Sequence, residues 1–162
     1  MATTTQPTMA ASLGRGMLAG VAGTGVMTAF QKYIEMPLTG RDESYAPARL
    51  VEKLLPMSKK RGKKRRQINY VTHYALGLMW GAAYGVAAHK GLRGQRAVGA
   101  VFAVVYSGDV LFNVALGLYK PRQWSVQDTA IDVVGKLVQA EATSVIYDNV
   151  VARKGAPNAA AA

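Results

Sequence analysis

Four stretches of the chain alternate with polar ones, and each is apolar over a length that suits a long helix. The first, "GMLAGVAGTGVMTAFQ", is uncharged from Gly16 to Gln31 and continues toward Pro37. A break is expected there, because proline lacks the backbone N–H and crowds the preceding turn. The second runs from Asn69 to His89, "NYVTHYALGLMWGAAYGVAAH", and the third from Ala97 to Tyr119 with Asp109 as its one charged residue. These two approach the roughly 20 residues that cross a bilayer, and the first is marginal. The fourth, "SVQDTAIDVVGKLVQAEATSVIYDNVV", has helical rhythm but carries Asp128, Asp132, Lys136, Glu141 and Asp148, so hydropathy alone rejects it. On a helical wheel Asp128, Asp132, Lys136, Gln139, Thr143 and Tyr147 share about one third of the circumference, a polar stripe suited to a bundle interior.

This pattern predicts an all-α fold: a four-helix integral-membrane bundle with helices at about 14–35, 69–89, 97–119 and 125–151 in one domain, 14–152. Flexible tails are expected at 1–13 and 153–162, and an amphipathic and basic cytoplasmic loop at 36–68 between helices one and two. Within that loop Pro47 can start a short helix, "PARLVEKLL", that Pro56 ends. Small residues recur every fourth position as Gly77, Gly81 and Gly85 in segment two and as Gly16, Gly20, Thr24 and Thr28 in segment one. Such stripes let helix backbones approach closely in lipid, whereas glycine within a water-exposed helix costs up to about 1 kcal/mol relative to alanine. Gly20, Gly77, Gly81 and Gly85 are therefore the expected packing positions.

Charge sharpens the topology. Lys plus Arg is 20 against 9 acidic residues, and "KKRGKKRR" places Lys59, Lys60, Arg61, Lys63, Lys64, Arg65 and Arg66 together. No aromatics interleave that run, which argues against nucleic acid as its partner and for anionic lipid of the cytoplasmic leaflet. Thirteen basic residues fall on the side of the long loop and six on the other, with Lys136 inside segment four. The positive-inside bias then places the loop in the cytoplasm and both termini outside.

Under that topology the polar residues agree in depth. Thr28, Gln31, His73, Asp109 and Asp132 all fall roughly 6–14 Å from the cytoplasmic interface at the helical rise, and Lys136 lies just deeper on the same face as Asp132. Independent helices have no reason to coincide in this way. A lone Asp or Lys at mid-bilayer costs about 2.5–3.5 kcal/mol, so Asp109 and Lys136 are expected to pair within a polar cluster. The alternative is an ion pair that sets helix register and does no chemistry.

Other chemistry is thin. The absence of cysteine removes disulfides and thiolate chemistry, and two histidines sixteen residues apart match no metal-site spacing. "GVAGTG" lacks the lysine and hydroxyl residue that close a phosphate loop, and Ser107 has no partner histidine. No catalytic residue, metal or cofactor is therefore expected.

The spaced motifs "GVAGTGVMTAFQ" and "THYALGLMWGAAYG", the carboxylate of segment three followed by "ALGL", and the polar last segment resemble the YagU-like family of bacterial inner-membrane proteins over about residues 14–150. Thr24, Met27, Thr28, Gln31, His73, Tyr74, Gly77, Gly81, Tyr84, Gly85 and Asp109 occupy that family's recurrent positions. The resemblance implies a small multi-pass protein of the bacterial cytoplasmic membrane, of unestablished activity and with an association to acid tolerance. Lys136 departs from it, since relatives carry histidine near that place. Two functional readings follow: a proton or small-ion pathway or pH-responsive element built on the cluster, and a non-catalytic scaffold whose glycine faces pack on a protein partner or a second copy. A soluble RNA-binding bundle is the third.

Overall fold

The structure, a computed structural model, describes residues 7–55 and 61–151, and the regular structure of these residues is helical. Helix α1 (Met9–Phe30) continues through a π-helical turn (Gln31–Glu35) into α2 (Met36–Thr39). After a turn, α3 (Ala46–Leu54) precedes the long α4 (Gly62–His89). Helix α5 (Gly94–Val101) runs through a second π-helical turn (Phe102–Tyr106) into α6 (Ser107–Ala115), and α7 (Val126–Ile146) ends in a third (Tyr147–Val151). The described residues thus form four long helical rods with α3 beside them.

Local chemistry explains where the boundaries depart from expectation. The first helix starts at Met9 because the Thr8 side chain accepts the Ala11 N–H at 3.2 Å and caps it. It does not break at Pro37. The preceding turn widens so that the Met36 N–H reaches the carbonyl of Gln31, and the ring is accommodated by this change of hydrogen-bond register. The helix stops instead at Gly40, whose φ of 67° ends it in the left-handed region. The expected loop 36–68 is largely helical. Gly62 to Gln67 form the first turns of α4, held by α3, so Arg61 is the flank of a helix rather than part of a coil. Lys59 and Lys60, the first six residues and the tail 153–162 lie outside the described residues.

Helix α1 is the centre of the bundle and packs on α4 and α7. Its interior carries small groups: Ser12, Gly16, Gly20 and Thr24 face α4, while Gly23 and Met27 face α7. The α1–α4 contact is backbone on backbone. A Cβ at Gly20 would fall onto the Gly77 carbonyl and come within 2.6 Å of the Gly81 Cα, and one at Gly16 would meet Gly81 and Gly85. Only glycine permits that approach. An apolar core of Trp80, Tyr84, Val98, Val101 and Tyr147 fills the end of the bundle where α4 turns into α5.

Large apolar side chains point outward on every rod: Leu18 and Val26 on α1, Val71 and Met79 on α4, Leu111 and Phe112 on α6, Val134 and Val145 on α7. Conversely, Ser12, Thr24, Asn113, Gln139, Thr143 and Ser144 are buried. One helix among the described residues, Gly94–Ala115, is long and apolar enough to cross a membrane, and 22% of its most apolar stretch is buried in the bundle.

Candidate functional site

Asp109 lies on the first turn of α6, and its carboxylate accepts a hydrogen bond from the Lys136 ammonium of α7 at 2.7 Å. The same ammonium is 3.6 Å from Asp132, one turn earlier on α7. These side chains retain 15–22% of their exposure, so the trio is mostly withdrawn from the surroundings. Two neighbours orient it. The Tyr106 hydroxyl donates to Asp132 at 3.0 Å while the Tyr106 ring lies 5.3 Å from the ammonium. The Asn113 amide donates to Asp109 at 3.0 Å and to its carbonyl at 2.9 Å.

The elements place these groups for local reasons. Asp132 and Lys136 are one turn apart and share a face of α7. Tyr106, Asp109 and Asn113 follow a spacing of three and four, so they share the face of α6 and its π-helical turn that looks back at α7. Helix α6 has little other packing, and Asn113 is its one buried residue. The ion pair is therefore the main tie between α6 and the rest of the bundle.

The remaining expected members are arranged differently. Thr28 donates its hydroxyl to the Thr24 carbonyl at 2.8 Å, within its own helix. Gln31 sits against Gly135, the chain neighbour of Lys136, and takes no part in the hydrogen bonds of the trio. His73 faces Tyr74 edge-on at 6.1 Å and lies within reach of the Lys136 charge. Asp109, Asp132 and Lys136 thus form one constellation, with His73 at its border and Thr28 and Gln31 outside it.

Sequence reasoning missed Tyr106 and Asn113, although each stands three or four residues from Asp109 and the wheel would have found them. It also missed two networks that depend on contacts between distant segments. Gln139 donates to the Thr24 hydroxyl at 3.0 Å, joining α7 to α1. Asp148 accepts from the Tyr84 hydroxyl at 2.9 Å, the Gly94 N–H at 3.1 Å and Arg93 at 3.1 Å. It clasps the α4–α5 turn onto the end of α7.

Among the described residues no group of three or more His, Cys, Asp or Glu side chains is arranged to hold a metal ion. Compared with protein families, curated proteins and solved structures, the chain matches none.

Proposed function

We propose that the chain is a bilayer-embedded helical bundle whose Asp109–Lys136–Asp132 cluster is a proton- or small-cation-responsive element. The observation that carries the proposal is the distribution of polarity. The most apolar helix is mostly exposed, while Thr24, Thr143, Ser12, Ser144 and Gln139 are buried and the charged trio is mostly withdrawn. In water, each large apolar side chain left outside forgoes about 1.5–3 kcal/mol of burial. In lipid the same ordering is favourable, because apolar groups meet the solvent and polar groups meet one another.

The dimensions and ends support it. Gly94–Ala115 has 22 residues, about 33 Å at the helical rise against a hydrocarbon core of about 30 Å. The α1–α4 glycine contact is antiparallel, and Arg41 reaches Asp128 at 3.4 Å. The C-terminal end of α1, α3, the start of α4 and the start of α7 therefore share one end. Tyr33, Tyr70, Tyr119 and Trp124 belong to that end together with most of the basic residues, which suits a cytoplasmic interface. Membership of the YagU-like family is part of this proposal and rests on the quoted motifs.

The charge count of the trio suggests its chemistry. Two carboxylates and one ammonium leave one negative charge, which a low-dielectric site disfavours unless a cation is taken up. One proton on Asp109 or Asp132, or one monovalent cation beside them, balances the set, and Tyr106, hydrogen-bonded to Asp132, and His73 are further titratable side chains of the neighbourhood. Protonating Asp109 would also weaken the tie that holds α6. The glycine faces offered to a partner in the scaffold reading are consumed inside the protein, between α1 and α4, so that reading loses its main support.

The test is proton flux in proteoliposomes together with carboxyl infrared difference spectra on acidification, comparing wild type with Asp109→Asn. A carboxyl protonation signal in the wild type that the variant lacks supports a responsive element, and flux lost with it makes the site a pathway. Absence of both flux and signal in the wild type would leave the cluster a structural ion pair and overturn the proposal.

A further inference from the structure

The basic run divides in two once its neighbours are known. Arg65 is turned inward: its guanidinium donates to both carboxylate oxygens of Glu52, at 3.0 and 3.3 Å, and lies 5.1 Å from the Tyr45 ring. The Glu52 side chain is 7% exposed, so this pair joins α3 to α4 from within. Asn69 completes the joint, accepting the Ala48 N–H at 3.1 Å and donating to the Ser44 carbonyl at 2.9 Å. Arg66 reaches Glu43 at 3.7 Å. Arg61, Lys63 and Lys64 are exposed, and no acidic partner for them occurs among the described residues.

We propose that Arg61, Lys63 and Lys64 form a preorganised clamp for anionic phospholipid headgroups, while Arg65 is a structural residue that holds the clamp in place. This rests on the membrane reading and deepens it by separating the residues that hold the headgroup from the one that braces them. Three cations without acidic partners are carried on a helix that α3 braces, so little conformational freedom is lost on binding. A recess of about 550 Å³ opens between Tyr45, Arg61, Lys63, Arg65 and Arg66, a seat for a phosphate-bearing headgroup. Exposed Leu54 and Leu55 at the end of α3, and Leu38 in α2, supply apolar contacts at the same end of the molecule. Charge beside exposed apolar side chains suits the headgroup region of a leaflet rich in acidic lipid. A nucleic-acid groove would offer stacking aromatics between its cations; the run itself carries none, and Tyr45 of the recess already faces the Arg65 guanidinium.

The experiment uses the full chain in nanodiscs of phosphatidylcholine mixed with phosphatidylglycerol and reads the relative retention of the two lipids by native mass spectrometry. Each of Arg61→Gln, Lys63→Gln and Lys64→Gln is expected to reduce phosphatidylglycerol retention about fivefold, the effect of one basic group near a charged surface. Arg65→Gln is expected to raise hydrogen exchange over residues 46–54, because α3 loses its tie, while the other three leave that exchange unchanged. Equal retention of the two lipids by the wild type overturns the clamp, as does preference unaltered in the triple variant. So does displacement of phosphatidylglycerol by single-stranded RNA at matched charge. Alkaline carbonate extraction of protein from vesicles separates the two readings. Extracted protein that still binds phosphatidylglycerol vesicles through these residues overturns the membrane-embedded reading but supports the clamp, and extracted protein that binds neither lipid overturns both.

Discussion

A single carboxylate in an apolar helix is tolerable only if something answers its charge, and Lys136 answers Asp109 at 2.7 Å. Breaking a buried pair by removing one partner leaves the other uncompensated, at about 3–5 kcal/mol. Asp109→Asn and Lys136→Met are each expected to lower unfolding stability by about 3 kcal/mol, and the double variant by less than their sum. A double-mutant cycle in detergent unfolding measures the difference, and strict additivity would show that the groups do not interact. A second residue-scale case lies at the exposed start of α7. The Ser125 hydroxyl, and then its backbone N–H, hold the Asp128 carboxyl below its ordinary range. Because the folded value is depressed, this contribution is present above the unfolded value of about 3.9 and is lost as pH falls through the folded one. Acid titration of helicity should therefore show a smaller loss in Asp128→Asn than in wild type, and Ser125→Ala should cost about 1 kcal/mol at neutral pH.

Among the elements, glycines that look alike in sequence have opposite roles. A Cβ at Gly20 or Gly81 collides with the opposing backbone, whereas one at Gly99 or Gly108 meets nothing within 4 Å. Gly20→Ala and Gly81→Ala are expected to separate α1 from α4 and lower thermal stability, while Gly99→Ala keeps or raises it through its better helix propensity, up to about 1 kcal/mol. Thermal melts of the purified variants decide this. The i, i+4 rule exposed the zipper in advance, because both stripes could be read along single helices. Gly23 escaped it, since a Cβ there would collide with Thr143 on another helix. The same limit hid the α4 extension: a basic run has no hydropathy signal, and it is helical because Glu52 and Asn69 hold α3 against it.

For the molecule as a whole, Arg41, Arg61, Lys63, Lys64, Arg65 and Arg66 lie with Tyr33, Tyr70, Tyr119 and Trp124 at one end, and the start of α1 and the end of α7 lie at the other. If the basic end is cytoplasmic, single cysteines introduced at Lys63 and at Thr8 of this cysteine-free chain will be labelled from opposite sides of a sealed vesicle. Labelling from the same side would remove the spanning arrangement.

Composition and periodicity alone determined that the chain is helical, where its small-residue stripes run, and that Asp109 needs a partner near the depth of Lys136. These are local properties, readable wherever one helix carries the whole pattern. Only the tertiary structure decided that Tyr106 and Asn113 complete the cluster while Thr28 bonds its own helix, that Asp148 clasps a turn, and that Arg65 faces inward while Lys63 faces out. Each of those outcomes depends on which side chain of a distant segment arrives at hydrogen-bonding distance, and a distance between segments is set by packing rather than by spacing along the chain.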